Sequence, residues 1–452
     1  MDGDFLRGKR VLVMGLGRFG GGADSAAFAS RDGGQVVVTD LAGAQELANA
    51  VEELKGCHIE YHLGGHRRQD FEKAEILIVN PAVRPDNEYV LLAERSGAVI
   101  TSQVELFFQM CPAAIVGITG SNGKSTTTSL TAHLLEAGRG QAGYGKVWLS
   151  GNIGNRPMLG LLDEIKPDDV VVLELSSFQI EQLSRSGLGP YVGLITNLTP
   201  NHLDRHGTFK AYCAAKEGMF TYQKPDQRKP AVSVFNAEDP ITLGWYEKYR
   251  LQQGRKCLLF CADDVPAEIA KGFRLPGRAN RSNLAAALAA ANHFGANFNR
   301  LRGAVGNFEP LPNRLQLVAE IGGVRWYDDS KATTPVSTIA ALNGIEEPKI
   351  LIAGGYDKGI GFEELGRCIS RRVKAVVLIG RTADKIEQAI KDAVGGVVVV
   401  RAGSMAEAVE HCRRLASAGD VVLMSPACAS YDMFENYQHR ARVFTECVLS
   451  GG

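Results

Sequence analysis

Short β-branched runs alternate along this chain with Ala- and Leu-rich stretches of helical period, and that alternation most restricts how it folds. Strands are predicted at Val11–Met14, Gln35–Thr39, Ile76–Val79, Ile115–Thr119, Val170–Leu173, Val192–Asn197, Val232–Phe235, Lys349–Ala353, Ala375–Ile379, Val397–Val400 and Val421–Met424. Helices are predicted between them, among them Leu284–His293 and Ala406–Ala416. Strands apolar throughout are covered on both faces, which is the condition of a parallel sheet with crossover helices. The expected class is therefore α/β. Three sections follow, the first opening at Val11, the second near Ala113 and the third near Leu315, after the Pro310-Leu-Pro312 punctuation. The expected domains are 1–110, 111–311 and 312–452.

With 452 residues and 45% of them hydrophobic, the chain can fill several cores. Lys+Arg and Asp+Glu both number 50, so no overall positive field exists to hold nucleic acid or an anionic membrane. Anionic ligands must then be held by local groups. The first residues lead directly into a strand without an apolar leader, and no apolar run approaches the ~18 residues of a membrane helix. A soluble cytoplasmic protein, and a monomer, is expected. The nine cysteines lack regular spacing, and Cys257 and Cys261 sit in an apolar run. Buried free thiols in a reducing compartment are the expectation.

Two glycine turns follow predicted strands. Gly15-Leu-Gly17-Arg18-Phe19-Gly20 follows Val11–Met14, and Asp40 ends the next strand. Alone this is a dinucleotide fingerprint of low specificity. The second turn, Gly120-Ser-Asn122-Gly123-Lys124-Ser125-Thr126, lies between the strand Ile115–Thr119 and a helix over Thr127–Leu135. Such a turn aims backbone N–H groups and a helix dipole at an anion. Lys124 would reach the β- and γ-phosphates, and Ser125 or Thr126 would hold Mg²⁺. The spacing departs from the usual P-loop, with two residues between the glycines instead of four. A plain strand–helix turn with a surface lysine is the competing reading.

Glu174 ends the strand after Val170, where ligands of open α/β sheets sit. It could face the same crevice as the glycine turn and hold Mg²⁺, or merely cap a helix. His202 and His206 stand in a loop without cysteine partners, which argues against zinc. His58, His62 and His66 repeat every four residues, but Gly64-Gly65 breaks any helix there, and they read as surface residues. Lys216, in a helical segment, reads alone as a solvated lysine.

Taken together, Thr119–Thr126, Glu174-Leu-Ser-Ser177, Asn197–Arg205 with His202, and Ala214-Ala-Lys216 resemble the central motifs of the Mur ligase family. The third section adds Asp329-Ser-Lys331-Ala-Thr333, Gly354-Gly-Tyr-Asp-Lys358-Gly and Ser425–Phe434. The last run is similar to the branch of the family that adds D-glutamate. The resemblance spans essentially the whole chain and implies three domains. The first is a Rossmann-like N-terminal domain for a UDP substrate. The second is a central P-loop-type ATPase domain with a mostly parallel sheet. The third is a Rossmann-like C-terminal domain for the amino acid. It also implies an ATP-dependent carbon–nitrogen ligase of peptidoglycan precursor synthesis. The substrates would be UDP-N-acetylmuramoyl-L-alanine and D-glutamate, joined through an acyl phosphate.

The resemblance further assigns roles to residues. Gly120, Asn122, Gly123, Lys124, Ser125 and Thr126 would hold ATP phosphates. Ser125, Glu174, His202 and Lys216 would form the Mg²⁺ sites, for one ion or two, with Lys216 carbamylated in the family. Lys124, Glu174, His202 and Lys216 form the catalytic set. Asn280 and Asn283 match an adenine-contacting motif, and Arg314 and Asp329 match nucleotide contacts. Gly17, Arg18, Phe19 and Asp40 would meet the UDP moiety and Asn152 the muramoyl group. Lys331, Thr333, Lys358, Ser430, Tyr431 and Tyr437 match positions around D-glutamate. Sites on three domains imply closure, with hinges near 310–314.

Four positions depart from well-known members. Leu41 and Ala42 replace a threonine and an arginine that help bind UDP, Tyr437 replaces a phenylalanine, and Gly361 stands in place of an aspartate. Competing functions are a folylpolyglutamate synthase, a relative adding another amino acid, an NAD-dependent dehydrogenase, and a non-catalytic nucleotide switch or scaffold. The Ser425–Phe434 run argues against the first two. The dehydrogenase leaves Lys124 and Lys331 unexplained, and the switch leaves the intact catalytic set unexplained.

Overall fold

The computed structural model describes residues 5–450 except 18–19, 141, 154–156, 226–228 and 394. They fall into two compact units, 1–264 with 285–304, and 265–284 with 305–452. Residues 265–284 and 305–311 pack with the third section.

The first unit holds two sheets. One comprises β1 (Arg10–Met14), β2 (Gln35–Asp40), β3 (Ile59–Leu63), β4 (Ile76–Val79) and β5 (Val99–Thr101), in the order β3-β2-β1-β4-β5, all parallel. The other comprises β6 (Ala114–Thr119), β7 (Val147–Gly151), β8 (Val170–Glu174), β9 (Val192–Ile195), β10 (Ala231–Asn236) and β11 (Arg255–Phe260). Its order is β11-β10-β9-β6-β8-β7, again all parallel. One apolar core runs through both, from Leu6 and Val11 by way of Phe107 to Leu173 and Phe220. Polar clasps reinforce it. The buried Asp24 carboxylate accepts from Gln103 Nε2 at 2.6 Å and from the N–H groups of Leu159 and Gly160 at 2.8 and 3.0 Å. Arg205 donates to the carbonyls of Ala82 and Val83 at 3.2 and 3.1 Å.

The second unit holds β12 (Gln316–Ile321), β13 (Val324–Asp328), β14 (Lys349–Gly354), β15 (Ala375–Ile379), β16 (Val398–Arg401) and β17 (Val421–Met424), in the order β12-β13-β17-β14-β15-β16. Only β12 is antiparallel, joined to β13 through Gly322-Gly323, both at positive φ as a tight hairpin turn requires. Separate apolar clusters cover the two faces.

Every expected strand forms, with ends shifted by a residue or two. Six went unread: β3, β5, β7, β11, β12 and β13. All but β13 lie at sheet edges, where one-sided cover admits polar residues and blurs the apolar run. The cysteine expectation needs correction. All nine thiols are free, but only Cys412 and Cys428 are buried. Cys257 is half-covered because β11 is an edge strand. No helix among the described residues is long and apolar enough to cross a membrane.

Candidate active site

The glycine turn lies between β6 and the helix Lys124–Gly138. Gly123 caps that helix at φ 80°, and Gly120 has φ 144°. A Cβ on Gly120 would run into the Thr196 hydroxyl. The loop is stitched to the end of β9: Ser121 N–H donates to Asn197 O at 2.8 Å, and Asn122 N–H to Asn197 Oδ1 at 3.0 Å. Thr199 O accepts from Ser121 Oγ at 2.8 Å. The expected strand therefore ends at Ile195 because Thr196 and Asn197 serve the loop. The sequence sets Thr196 and Asn197 in the strand Val192–Asn197, and Thr119, Asn197 and Thr199 in the family motifs, but nothing local shows their ties to residues some 75 positions away.

The first-turn N–H groups of Lys124, Ser125 and Thr126 lack intrahelical acceptors and point out of the helix N-terminus, as an anion site needs. The Lys124 ammonium folds back onto the carbonyls of Gly120 and Ser121, each at 2.9 Å. Lysine, loop and helix end thus gather positive charge at the C-terminal end of β6.

Glu174 ends β8 beside β6, with Ile118 as its register partner. It is 2% exposed. Oε1 accepts from Asn152 Nδ2 at 3.0 Å, whereas Oε2 is buried without a hydrogen-bond partner. Asn152, expected at the muramoyl group, spends an N–H here. The preceding Gly151 is required, since a Cβ would meet the Glu174 backbone.

Lys216 is not the solvated lysine that its helix suggests. It is 1% exposed, and Nζ lies 3.0 Å from Thr119 Oγ1 and 5.0 Å from the centre of the Tyr212 ring. Burial, and then the Lys124 charge, push its pKa well below the usual lysine range, with Glu174 offsetting them only in part. His202 is exposed and caps a one-turn helix, Leu203–His206, that stands where a loop was expected. Its φ is 51°, and its ring meets Phe178 edge-on at 5.2 Å. His206 is committed to Ser177 Oγ at 2.9 Å and Glu181 at 3.3 Å.

In the first sheet, Gly15 and Gly17 adopt φ of 91° and 66°. Asp40 accepts from Gly17 N–H at 3.1 Å and Ala42 N–H at 2.9 Å, so it braces the turn. Arg18 and Phe19 lie outside the described residues. His62 is a correction: it is buried in β3, bonded to Asp70 at 2.6 Å and Glu60 at 2.9 Å. His66 is half-buried, and only His58 is exposed.

The second unit carries its own constellation. An isolated bridge between Tyr356 and Ala429 sets the Gly354–Lys358 loop beside the Ala427–Tyr431 loop. A Cβ on Gly355 would strike the Ala429 carbonyl. Ser430 is buried, and Tyr431 is exposed with its ring 6.2 Å from Tyr356. Lys331 Nζ lies 5.7 Å from the Tyr437 ring centre, and Thr333 is half-buried close by in sequence. Lys358 stands exposed on its loop. Arg440, which the sequence did not single out, is fully buried and donates to the carbonyls of Cys428 and Ser330 at 3.0 and 2.8 Å. It ties the Ala427–Tyr431 loop to the Asp329–Thr333 segment. Asn280 donates to Pro276 O at 2.8 Å, and Asn283 donates to Asn280 Oδ1 at 3.3 Å.

Asp329 accepts from Ser425 Oγ at 2.7 Å and from Leu315 N–H at 3.3 Å. Burial pushes its pKa up to about 7, with Ser425 and Arg314 working against the rise. Because the folded value exceeds the unfolded one, this stabilising contribution is full below the unfolded carboxyl pKa of about 4 and is lost as pH rises through 7. Asp329→Asn removes the loss. Its stability to urea, relative to wild type, is expected to be higher at pH 8 than at pH 4 by up to about 4 kcal/mol. An unchanged difference across that range would refute the assignment.

Among the described residues, no three His, Cys, Asp or Glu side chains converge on one point to hold a metal. The fit for Mg²⁺ rests instead on the unsatisfied Glu174 Oε2, a hard oxygen, with the Ser125 hydroxyl in the first turn of the helix after β6, the strand beside β8, as suits an ion shared with phosphates.

Residues 118–291 match the family model for the Mur ligase middle domain, and 313–428 match that for the Mur ligase glutamate ligase domain. The UDP-N-acetylmuramoylalanine–D-glutamate ligase of Roseiflexus sp. is 38% identical over 480 positions, covering 98% of this chain and 99% of that protein. The protein of the same name from Acetivibrio thermocellus is also 38% identical, with 98% and 97% covered. Among solved structures, the UDP-N-acetylmuramate-alanine ligase MurC of Thermotoga maritima superposes with a TM-score of 0.60 at 19% identity, covering 98% of this chain and 100% of the other. The MurF ligase of the same organism, in complex with ADP, gives 0.60 at 16% identity, covering 100% and 97%. At such identities the structural matches speak to the fold alone.

Proposed function

The chain belongs to the Mur ligase family, and from that premise we propose that it joins D-glutamate to UDP-N-acetylmuramoyl-L-alanine with cleavage of ATP to ADP and phosphate. The observation that carries the chemistry is the meeting, at the ends of β6 and β8, of a lysine-bearing anion loop and a buried carboxylate with an unsatisfied oxygen.

The L-alanyl carboxylate attacks the γ-phosphorus, the bond to the β-bridging oxygen breaks, and ADP leaves. Lys124 and the helix N-terminus neutralise charge on the transferring group, which is where most of the rate of phosphoryl transfer arises. The D-glutamate amine then adds to the acyl phosphate carbonyl. The resulting tetrahedral intermediate expels inorganic phosphate and loses a proton, leaving the amide. Glu174, Ser125, His202 and Lys216 would hold Mg²⁺, with Lys216 as a carbamate that presents oxygen in place of nitrogen. Mg²⁺ there would supply further charge neutralisation.

Lys331, Thr333, Lys358, Ser430, Tyr431 and Tyr437 surround the dianionic amino acid, for which ammonium and hydroxyl donors are suited. Asn280, Asn283, Arg314 and Asp329 belong to the nucleotide, and Gly17, Asp40 and Asn152 to the UDP-muramoyl substrate. The protein acts as a cytoplasmic monomer. Purified protein is expected to form ADP only when ATP, UDP-N-acetylmuramoyl-L-alanine and D-glutamate are all present, with L-glutamate inactive. Equal turnover with L-glutamate, lysine or diaminopimelate would overturn the substrate assignment.

A further inference from the structure

The first sheet carries no side chain after Asp40 that could read a nucleobase, because Leu41 is apolar and 71% exposed and Ala42 has only a methyl group. Recognition of the base must come from elsewhere along the same edge. The chain after β3 folds against the chain after β2: Gly64 N–H donates to Ala42 O at 2.9 Å, and Gly65 N–H to Asp40 O at 3.1 Å. This places His66 beside Thr39, with Nδ1 2.8 Å from Thr39 Oγ1. Phe71 and Tyr89 grip the ring edge-on at 5.6 and 5.1 Å. The imidazole is therefore fixed in place before any ligand arrives. Its Nε2 makes no hydrogen bond to a described residue, in contrast to His62, whose two nitrogens are both committed.

We propose that His66 is the residue that reads the pyrimidine of the UDP substrate, donating from Nε2–H to the C4 carbonyl of uracil, where cytosine carries its amino group, while Leu41 supports the base. This rests on the reading of the first domain as the UDP-substrate site. Thr39 settles which nitrogen carries the proton. Its buried hydroxyl has two acceptors, the Gly65 carbonyl at 3.5 Å and His66 Nδ1 at 2.8 Å, and only the second is a sound hydrogen bond. The hydroxyl proton goes to Nδ1, so the ring proton sits on Nε2. Burial holds the imidazolium below its ordinary pKa, which keeps the ring neutral at physiological pH. A fixed N–H donor fits the carbonyl of uracil and faces the amino group of cytosine as donor against donor. The site thereby distinguishes uridine from cytidine nucleotides.

The test is calorimetric binding of UDP and CDP to wild type, His66→Phe and Thr39→Val, with KM measured for all three substrates. Phenylalanine keeps the aromatic packing and removes the donor. Wild type is expected to favour UDP over CDP. His66→Phe is expected to weaken UDP by about tenfold, as loss of one ligand hydrogen bond does, and to erase the preference. Its KM should rise for the UDP substrate and stay put for ATP and D-glutamate. Thr39→Val, which leaves the tautomer unspecified, should lower the preference by a smaller factor. A His66→Phe protein that keeps wild-type affinity and preference overturns the role of His66 while the assigned reaction stands. A wild type that turns over the UDP substrate yet binds UDP and CDP alike overturns it as well. A wild type that neither binds UDP nor uses the UDP substrate overturns the underlying reading along with it.

Discussion

Replacing Lys124 with alanine is expected to lower kcat by a factor of a thousand or more while leaving the unfolding midpoint within a few degrees of wild type. The size follows from the chemistry. Phosphoryl transfer depends on positioned positive charge, and removing one such group costs about 4 kcal/mol of transition-state stabilisation, a factor of about a thousand. The mild effect on folding follows from the structure. Lys124 contributes two hydrogen bonds to the carbonyls of Gly120 and Ser121, but the loop is independently held by Asn197, Thr196 and Thr199. Released phosphate measured alongside thermal unfolding checks both halves. A variant within tenfold of wild-type kcat would show that the ammonium does not meet the transferring phosphoryl group.

Lys216 yields the second large effect, and there activity and stability should move apart. Lys216→Met is expected to abolish turnover and to unfold at or above the wild-type midpoint. The side chain is almost wholly buried, its ammonium is disfavoured by desolvation and by Lys124, and among the described residues its one hydrogen bond is to Thr119. An apolar side chain of similar length relieves that penalty. The same depression of basicity favours the neutral, nucleophilic form of Nζ over the ammonium. A neutral amine adds to carbon dioxide, losing a proton and forming a carbamate. Labelled bicarbonate should therefore produce a carbamate carbon signal in wild type that Lys216→Met lacks. In Lys216→Ala, short carboxylates should restore part of the lost activity by supplying the missing oxygens. Full activity in either variant would remove Lys216 from the mechanism.

The central site was the most legible part of the chain because its signals are local. A strand, a glycine turn and a helix start follow each other within Ala114–Gly138, and backbone conformation there is decided by neighbours. Glu174 could be placed on the same edge because parallel strands present their C-terminal ends together. Edge strands were less legible, since β3 and β12 carry mixed polar and apolar residues under partial cover. Histidines misled in a similar way. A spacing of four suggested a helical face that Gly64-Gly65 breaks, so His62 was read as exposed, whereas β3 buries it between two carboxylates.

Residue order alone thus determined the α/β class, the two glycine turns and the family motifs, because each is written within a few consecutive positions. Tertiary structure alone decided the chemical state of those motifs. Lys216 is buried against a threonine 97 positions away, Glu174 is left with one satisfied oxygen by an asparagine 22 positions away, and Arg440 reaches a carbonyl 110 positions away. Which strands become neighbours is a global choice among packings. Desolvation and hydrogen-bond satisfaction exist only once that choice has been made.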